Sequence, residues 1–136
     1  MQIVKEFPYL VLMWDEETRS VILQWRGGFQ GRNLKEGLLA GLDELKRRLP
    51  NAEWIGDTSE IGVMGEEEKK WIDTVWFPQF LATGVKCMAV VQPTSVVAKM
   101  SVKEIFSKIP DTQLTVSYFA SLEEARKWVK SQQPVK

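Results

Sequence analysis

A chain of 136 residues is long enough to bury a core of its own, with no metal or disulfide needed to hold it. Its 18 basic and 18 acidic side chains cancel, leaving no overall field to attract nucleic acid or an anionic membrane surface. There is no histidine and a single cysteine, Cys87, which excludes imidazole-dependent triads, intramolecular disulfides and multi-cysteine metal cages, and suits a reducing compartment.

The opening stretch, MQIVKEFPYLVLMW, is interrupted by Lys5, Glu6 and Pro8 and lacks a small-residue cleavage site, so it does not read as a signal peptide. No apolar run approaches the ~20 residues of a membrane span, and the expectation is a soluble, cytoplasmic protein of one domain over residues 1–136, frayed at 1–6 and 131–136. Tyr9 to Trp14 and Ser20 to Trp25 are short apolar runs on either side of Asp15-Glu16-Glu17-Thr18, which predicts a β-hairpin. Gly27-Gly28-Phe29-Gln30-Gly31 lacks both the phosphate-loop ending and dinucleotide spacing, so it reads as a turn. Asn33 with Glu36 forms a capping-box start, and Leu34, Leu38, Leu42, Leu45 and Leu49 recur at helical spacing. Lys46, Arg47 and Arg48 suit the end of that helix, and Pro50 stops it. Gly37 and Gly41 read as a close approach to a sheet rather than as a dimerisation seam.

AEWIG predicts a third strand, and Asp57 to Gly65 a loop leading to an acidic helix start at Glu66-Glu67-Glu68. Val85 to Gln92 reads as a central strand ended by Pro93, followed by a short helical turn from Thr94 to Met100. Ser101 with Glu104 predicts a separate capped helix closed by Pro110. In LTVSYF, Leu114, Val116 and Tyr118 alternate with polar neighbours as in a half-buried strand. Ser121 with Glu124 caps a last helix whose apolar face is Leu122, Ala125, Trp128 and Val129. The order ββαβαβαβα predicts an α/β fold, with a mixed sheet of about five strands covered by about four helices.

With YFASLEEARKWV at the end and WFPQFLATGVKCMAVVQP in the centre, the chain resembles the STAS/SEC14-like small bacterial proteins that share the fold of anti-sigma-factor antagonists; the resemblance runs from about Tyr9 to Val129. It implies a STAS-like sandwich acting as a non-enzymatic signalling module. In such modules the loop after the third strand, and the start of the next helix, dock on a regulatory protein. Asp57 and Ser59 match that loop's aspartate and hydroxyl, and Met64 its methionine; Thr58 lies between the first two. Gly65 falls on the family aspartate, and Glu66 and Glu67 fall on its hydroxyl pair, so the phosphate acceptor is missing and the usual phosphoswitch is not expected. The SEC14-like side of the resemblance implies the alternative: a carrier or sensor of a small apolar or lipid-like molecule.

Residues 71–80, WIDTVWFPQF, bear on that choice. On a regular helix Trp71, Ile72, Val75, Trp76 and Phe80 spread over about half the circumference, and Phe77 lies outside it. One sheet-facing stripe needs less. Either these rings pack in the core and between helices, or Trp71, Trp76, Phe77 and Phe80, with Met100 and Phe106, line a pocket or an interface. Pro78 should bend or restart the helix, and Gly84 should end it. Asp57, Glu60, Glu66, Glu67 and Glu68 lack calcium-loop spacing, and Glu66 with Lys70 makes an i, i+4 pair, so they predict a solvated helix start and no metal. Thr58 and Ser59 read as turn residues or as anion or phosphate acceptors, and Cys87 as an inert buried thiol. No nucleophile and base can be paired from the chain, so no catalysis and no cofactor are expected; a homodimer is compatible with the sequence but not demanded by it.

Overall fold

The computed structural model describes residues 1–27, 31–62, 64–110 and 112–133. It contains six strands, β1 (Gln2–Phe7), β2 (Leu10–Asp15), β3 (Ser20–Trp25), β4 (Glu53–Asp57), β5 (Cys87–Val91) and β6 (Thr115–Phe119). They form one sheet in sequential order, β1-β2-β3-β4-β5-β6. The first three strands are antiparallel, and β3 to β6 run parallel. The fold is thus α/β with a mixed sheet, as expected, but the sheet has one more strand at its edge. Residues expected to fray build β1: Gln2 pairs with Trp14 and Phe7 with Leu10. Lys5 and Glu6 hid this strand, yet charges are what an edge strand tolerates and uses against further pairing.

The helices are α1 (Gly31–Arg48), α2 (Glu66–Trp71), α3 (Phe77–Leu81), α4 (Val96–Phe106) and α5 (Leu122–Gln132), with a π-helical segment, Ile72–Trp76, joining α2 to α3. None is long and apolar enough to cross a membrane among the described residues. Because the strands advance in one direction across the parallel half of the sheet, crossovers of one hand lay α1, the 66–81 helix and α4 on the same face. Their apolar residues pack against Leu10, Leu12, Trp14, Leu23, Trp25, Trp54, Met88 and Val90. The opposite face, Val11, Met13, Ile22, Ile55, Ala89 and Val91, is covered by Ala125 and Val129 of α5.

Local chemistry explains most boundaries. Leu34, Leu38, Leu42 and Leu45 are buried along α1, whose last turn carries Lys46, Arg47 and Arg48 against the helix dipole. Gly37 and Gly41 let α1 lie directly on the sheet: a methyl group at Gly37 would sit 2.6 Å from the Trp25 ring, and one at Gly41 2.7 Å from Leu23 and from the Trp54 ring. α1 begins at Gly31, two residues before the predicted cap at Asn33. The expected turn over 27–31 lies partly outside the described residues, which omit 28–30.

One helix replaces the predicted turn and separate helix over 94–109. The Ser95 hydroxyl accepts from the Ala98 N–H and caps α4, while Ser101 is buried in mid-helix and caps nothing. Ser121 caps α5 by accepting from Glu124, as its sequence predicts. Of the tail expected to fray, Ser131 and Gln132 belong to α5, and 134–136 lie outside the described residues.

Candidate functional site: an apolar cavity under the β4 loop

The 66–81 helix carries the chemistry that sets the site. Pro78 has no N–H to give Thr74, and the helix widens just before it, where the Phe77 N–H donates five residues back to the Ile72 carbonyl. The wide turn takes in one residue more than an α-turn, so it shifts the inward face along the sequence. As a result Ile72, Trp76, Phe77 and Phe80 all point into the protein, between 0% and 5% exposed, whereas Val75 is turned outward. On a regular helix these rings would spread wider than one sheet-facing stripe; the widened turn instead brings Phe77 inward with Ile72, Trp76 and Phe80, which is the core and inter-helix packing expected as one of the two alternatives. Trp71 is half-buried under Lys35, whose Nζ lies 5.7 Å from the ring centre. The Trp76 N–H donates to the Leu38 carbonyl at 2.9 Å and ties the segment to α1. The Trp76 ring stacks on Phe80, and both pack edge-on to Trp54. Gly84, at φ +84°, ends the run, as expected of a residue without a side chain.

Beside these rings lies a cavity of about 70 Å³. Its floor is the sheet: Trp54 and Gly56 of β4, and Met88 and Val90 of β5. Ile72, Trp76 and Phe77 form one wall, and Val102, Ile105 and Phe106 of α4 another. Thr58, Ile61 and Met64 close it from the loop after β4. Strand alternation explains the gap, because Trp54, Gly56, Met88 and Val90 share one face and Gly56 brings no side chain to it. A methyl group at Gly56 would meet one neighbour, Trp54 Nε1, at an ordinary 3.6 Å. Gly56 and Trp54 are site residues that sequence reasoning missed; the signal was a glycine inside an otherwise apolar strand pattern.

The residues predicted to contact a partner divide between interior and surface. Asp57 is 4% exposed and faces away from the cavity, beside its cross-strand partner Gln24. Its carboxylate accepts from the Ser59 N–H and hydroxyl at 3.1 and 2.7 Å and from Gln24 Nε2 at 3.1 Å, which fixes the turn out of β4. The Thr58 hydroxyl donates to the Val91 carbonyl at 2.6 Å and joins that turn to β5. Met64 is buried in the cavity wall, and Gly65 and Glu66 are exposed. Glu66 pairs with Lys69, which also reaches Glu104 of α4, instead of the expected Lys70. Of the predicted pocket residues, Trp76, Phe77 and Phe106 line the cavity, while Phe80 lies fully buried behind them. Met100 is outside it, 67% exposed on α4 next to exposed Val96 and Val97.

Cys87 lies on the other face of β5, with its Sγ 3.7 Å from Glu53 Oε2. Burial, reinforced by the adjacent carboxylate, pushes this thiol up to about 11, which keeps it protonated at neutral pH. Burial likewise raises the Glu53 carboxyl, partly offset by the thiol hydrogen bond. Among the described residues no group of three or more His, Cys, Asp or Glu side chains is placed to hold a metal ion. No protein-family model matches the chain, and no curated protein matches it.

Proposed function

We propose that this chain is a non-enzymatic binding module of the STAS/SEC14-like kind that carries or senses a small apolar molecule in the cavity under the β4 loop. The observation that carries this reading is the gap left by Gly56 among Trp54, Trp76, Phe77 and Phe106, where the described lining residues carry no formal charge. A void of this kind forfeits contacts that a larger residue at position 56 would recover, and that cost is explained if a guest occupies the space. At about 70 Å³ the resting cavity is about half the ~150 Å³ that holds benzene in an engineered apolar core, so the guest is small or displaces Ile61 or Met64 on entry.

The docking reading ranks first on the sequence and second on this geometry, because Asp57 and Met64 are turned inward. It is favoured by the exposed Val96, Val97 and Met100 on α4 and by exposed Glu66 at the start of α2.

Native mass spectrometry of protein purified from its own host should reveal a copurifying small molecule. Gly56→Val should abolish its retention while leaving the thermal midpoint unchanged or higher. If no guest is found and Gly56→Val merely stabilises, the cavity is a packing defect and the binding reading fails; capture of a regulatory protein that is lost on Met100→Glu would then favour docking.

A further inference from the structure

The cavity holds one polar feature that an apolar guest would not use. Trp54 is 3% exposed, and among the described residues its indole N–H donates to no protein atom. It is not sealed in packed side chains either, since among the described residues no fully buried side-chain nitrogen or oxygen lacks a partner. The N–H therefore borders open space, and the 3.6 Å from Trp54 Nε1 to the position of an absent Gly56 methyl puts that space above Gly56. Other polar groups at the site are committed: the Thr58 hydroxyl to the Val91 carbonyl, and the Trp76 N–H to the Leu38 carbonyl. An indole N–H left without an acceptor in an apolar site carries a desolvation cost that a guest's oxygen would remove.

Resting on the cavity reading, we infer that the guest is a small neutral molecule with a hydrogen-bond acceptor, such as a ketone or an ester, whose oxygen accepts from Trp54 Nε1 while its hydrocarbon part fills the space left by Gly56. Neutrality follows from the walls. Among the described residues no lysine or arginine lines the cavity, so a carboxylate or phosphate would be buried there without a counter-charge from them. One donor also ranks acceptors over plain hydrocarbons of the same shape, and the net worth of a hydrogen bond predicts a preference of about five- to tenfold.

The probes are cyclopentanone, cyclopentane and cyclopentanecarboxylate, titrated into the full chain and followed by ¹H–¹⁵N NMR. The Trp54 indole signal is assigned through its contact with the Gly56 Hα protons. Cyclopentanone should bind more tightly than cyclopentane and move the Trp54 indole proton downfield, and the carboxylate should bind least. Trp54→Phe should erase the preference for the ketone. Gly56→Ala, which sets a methyl group over the N–H at ordinary contact distance, should do the same without touching Trp54, and it keeps the test alive if Trp54→Phe does not fold. Equal binding of ketone and hydrocarbon with an unmoved indole signal would overturn the donor role and leave the cavity reading standing. Tightest binding by the carboxylate would overturn the neutral-guest inference. Failure of every probe to perturb any cavity residue would overturn the inference together with the reading beneath it.

Discussion

Arg126 of α5 ties the last helix to the hairpin, alongside Lys130 and Gln133, which donate to the Glu17 and Thr18 carbonyls. Its Nε lies 2.7 Å from an Asp15 oxygen at the end of β2, and its other nitrogens reach Glu17 and Glu123 at 3.0 Å. Asp15 is 2% exposed and also accepts from the Thr18 hydroxyl. Burial alone would raise its carboxyl, but Arg126, Thr18 and the Glu17 N–H together hold it below the ordinary carboxylate range. Truncating the arginine leaves a buried carboxylate without its counter-charge. Arg126→Ala should therefore cost about 3 kcal/mol in urea unfolding, well above the fraction of a kcal/mol of an exposed pair. Glu123→Ala, which removes a solvent-exposed partner, should cost less than about 0.5 kcal/mol. Asp57 shows the same logic at the turn out of β4: a polar residue that the sequence offers as a contact surface is the anchor of its own loop, because three donors converge on it.

At the level of elements, α1 makes the sharpest prediction. Alanine at Gly41 improves the isolated helix by up to about 1 kcal/mol, but its methyl would sit 2.7 Å from Leu23 and from the Trp54 ring, both buried. Overpacking wins, and Gly41→Ala should lower stability by about 1 to 3 kcal/mol in chemical denaturation. The leucine stripe of α1, the β2–β3 hairpin, the apolar β5 and the Ser121 cap are legible in the sequence because spacing and cap chemistry are local. What stays hidden is settled elsewhere in the fold. β1 is read as frayed because an edge strand buries little, and its pairing with β2 carries it. α4 is split at Ser101 because a serine followed three residues later by a glutamate looks like a cap, whereas Ser95 is the cap in place. The widened turn at 72–76 cannot be read from residue periods, and with it goes the inward set of rings. The cavity is likewise invisible until β4 and β5 are in register, since the gap at Gly56 has meaning only beside Trp54, Met88 and the Phe106 ring.

For the whole molecule, the titrating groups set a stability profile with two limbs. Asp15 and Glu44 both titrate lower folded than unfolded; Glu44 is buried, and its arginine partners Arg47 and Arg48 outweigh that burial. The stability they add is present above the ordinary carboxylate range and is lost as pH falls through their depressed values. Cys87 works in the opposite sense. Its thiol is pushed up to about 11, so stability present below the ordinary thiol value fades as pH rises toward that figure, with Tyr118, raised by burial, adding to the loss. Urea midpoints should form a plateau near neutrality and fall on both sides, and Cys87→Ala should flatten the alkaline limb while raising the Glu53 carboxyl further, since the thiol hydrogen bond that partly offsets its burial is lost.

The cover that α5 lays over the Val11–Ile22–Ile55–Val91 face has a consequence for synthesis. Every described strand is made before α5, so a growing chain that has already assembled its sheet presents that greasy surface to solvent or to a chaperone until Ala125 and Val129 leave the ribosome. A stop codon placed after Phe119 should thus yield a product that is bound by chaperones or insoluble, even though all six strands and four of the five helices would be encoded.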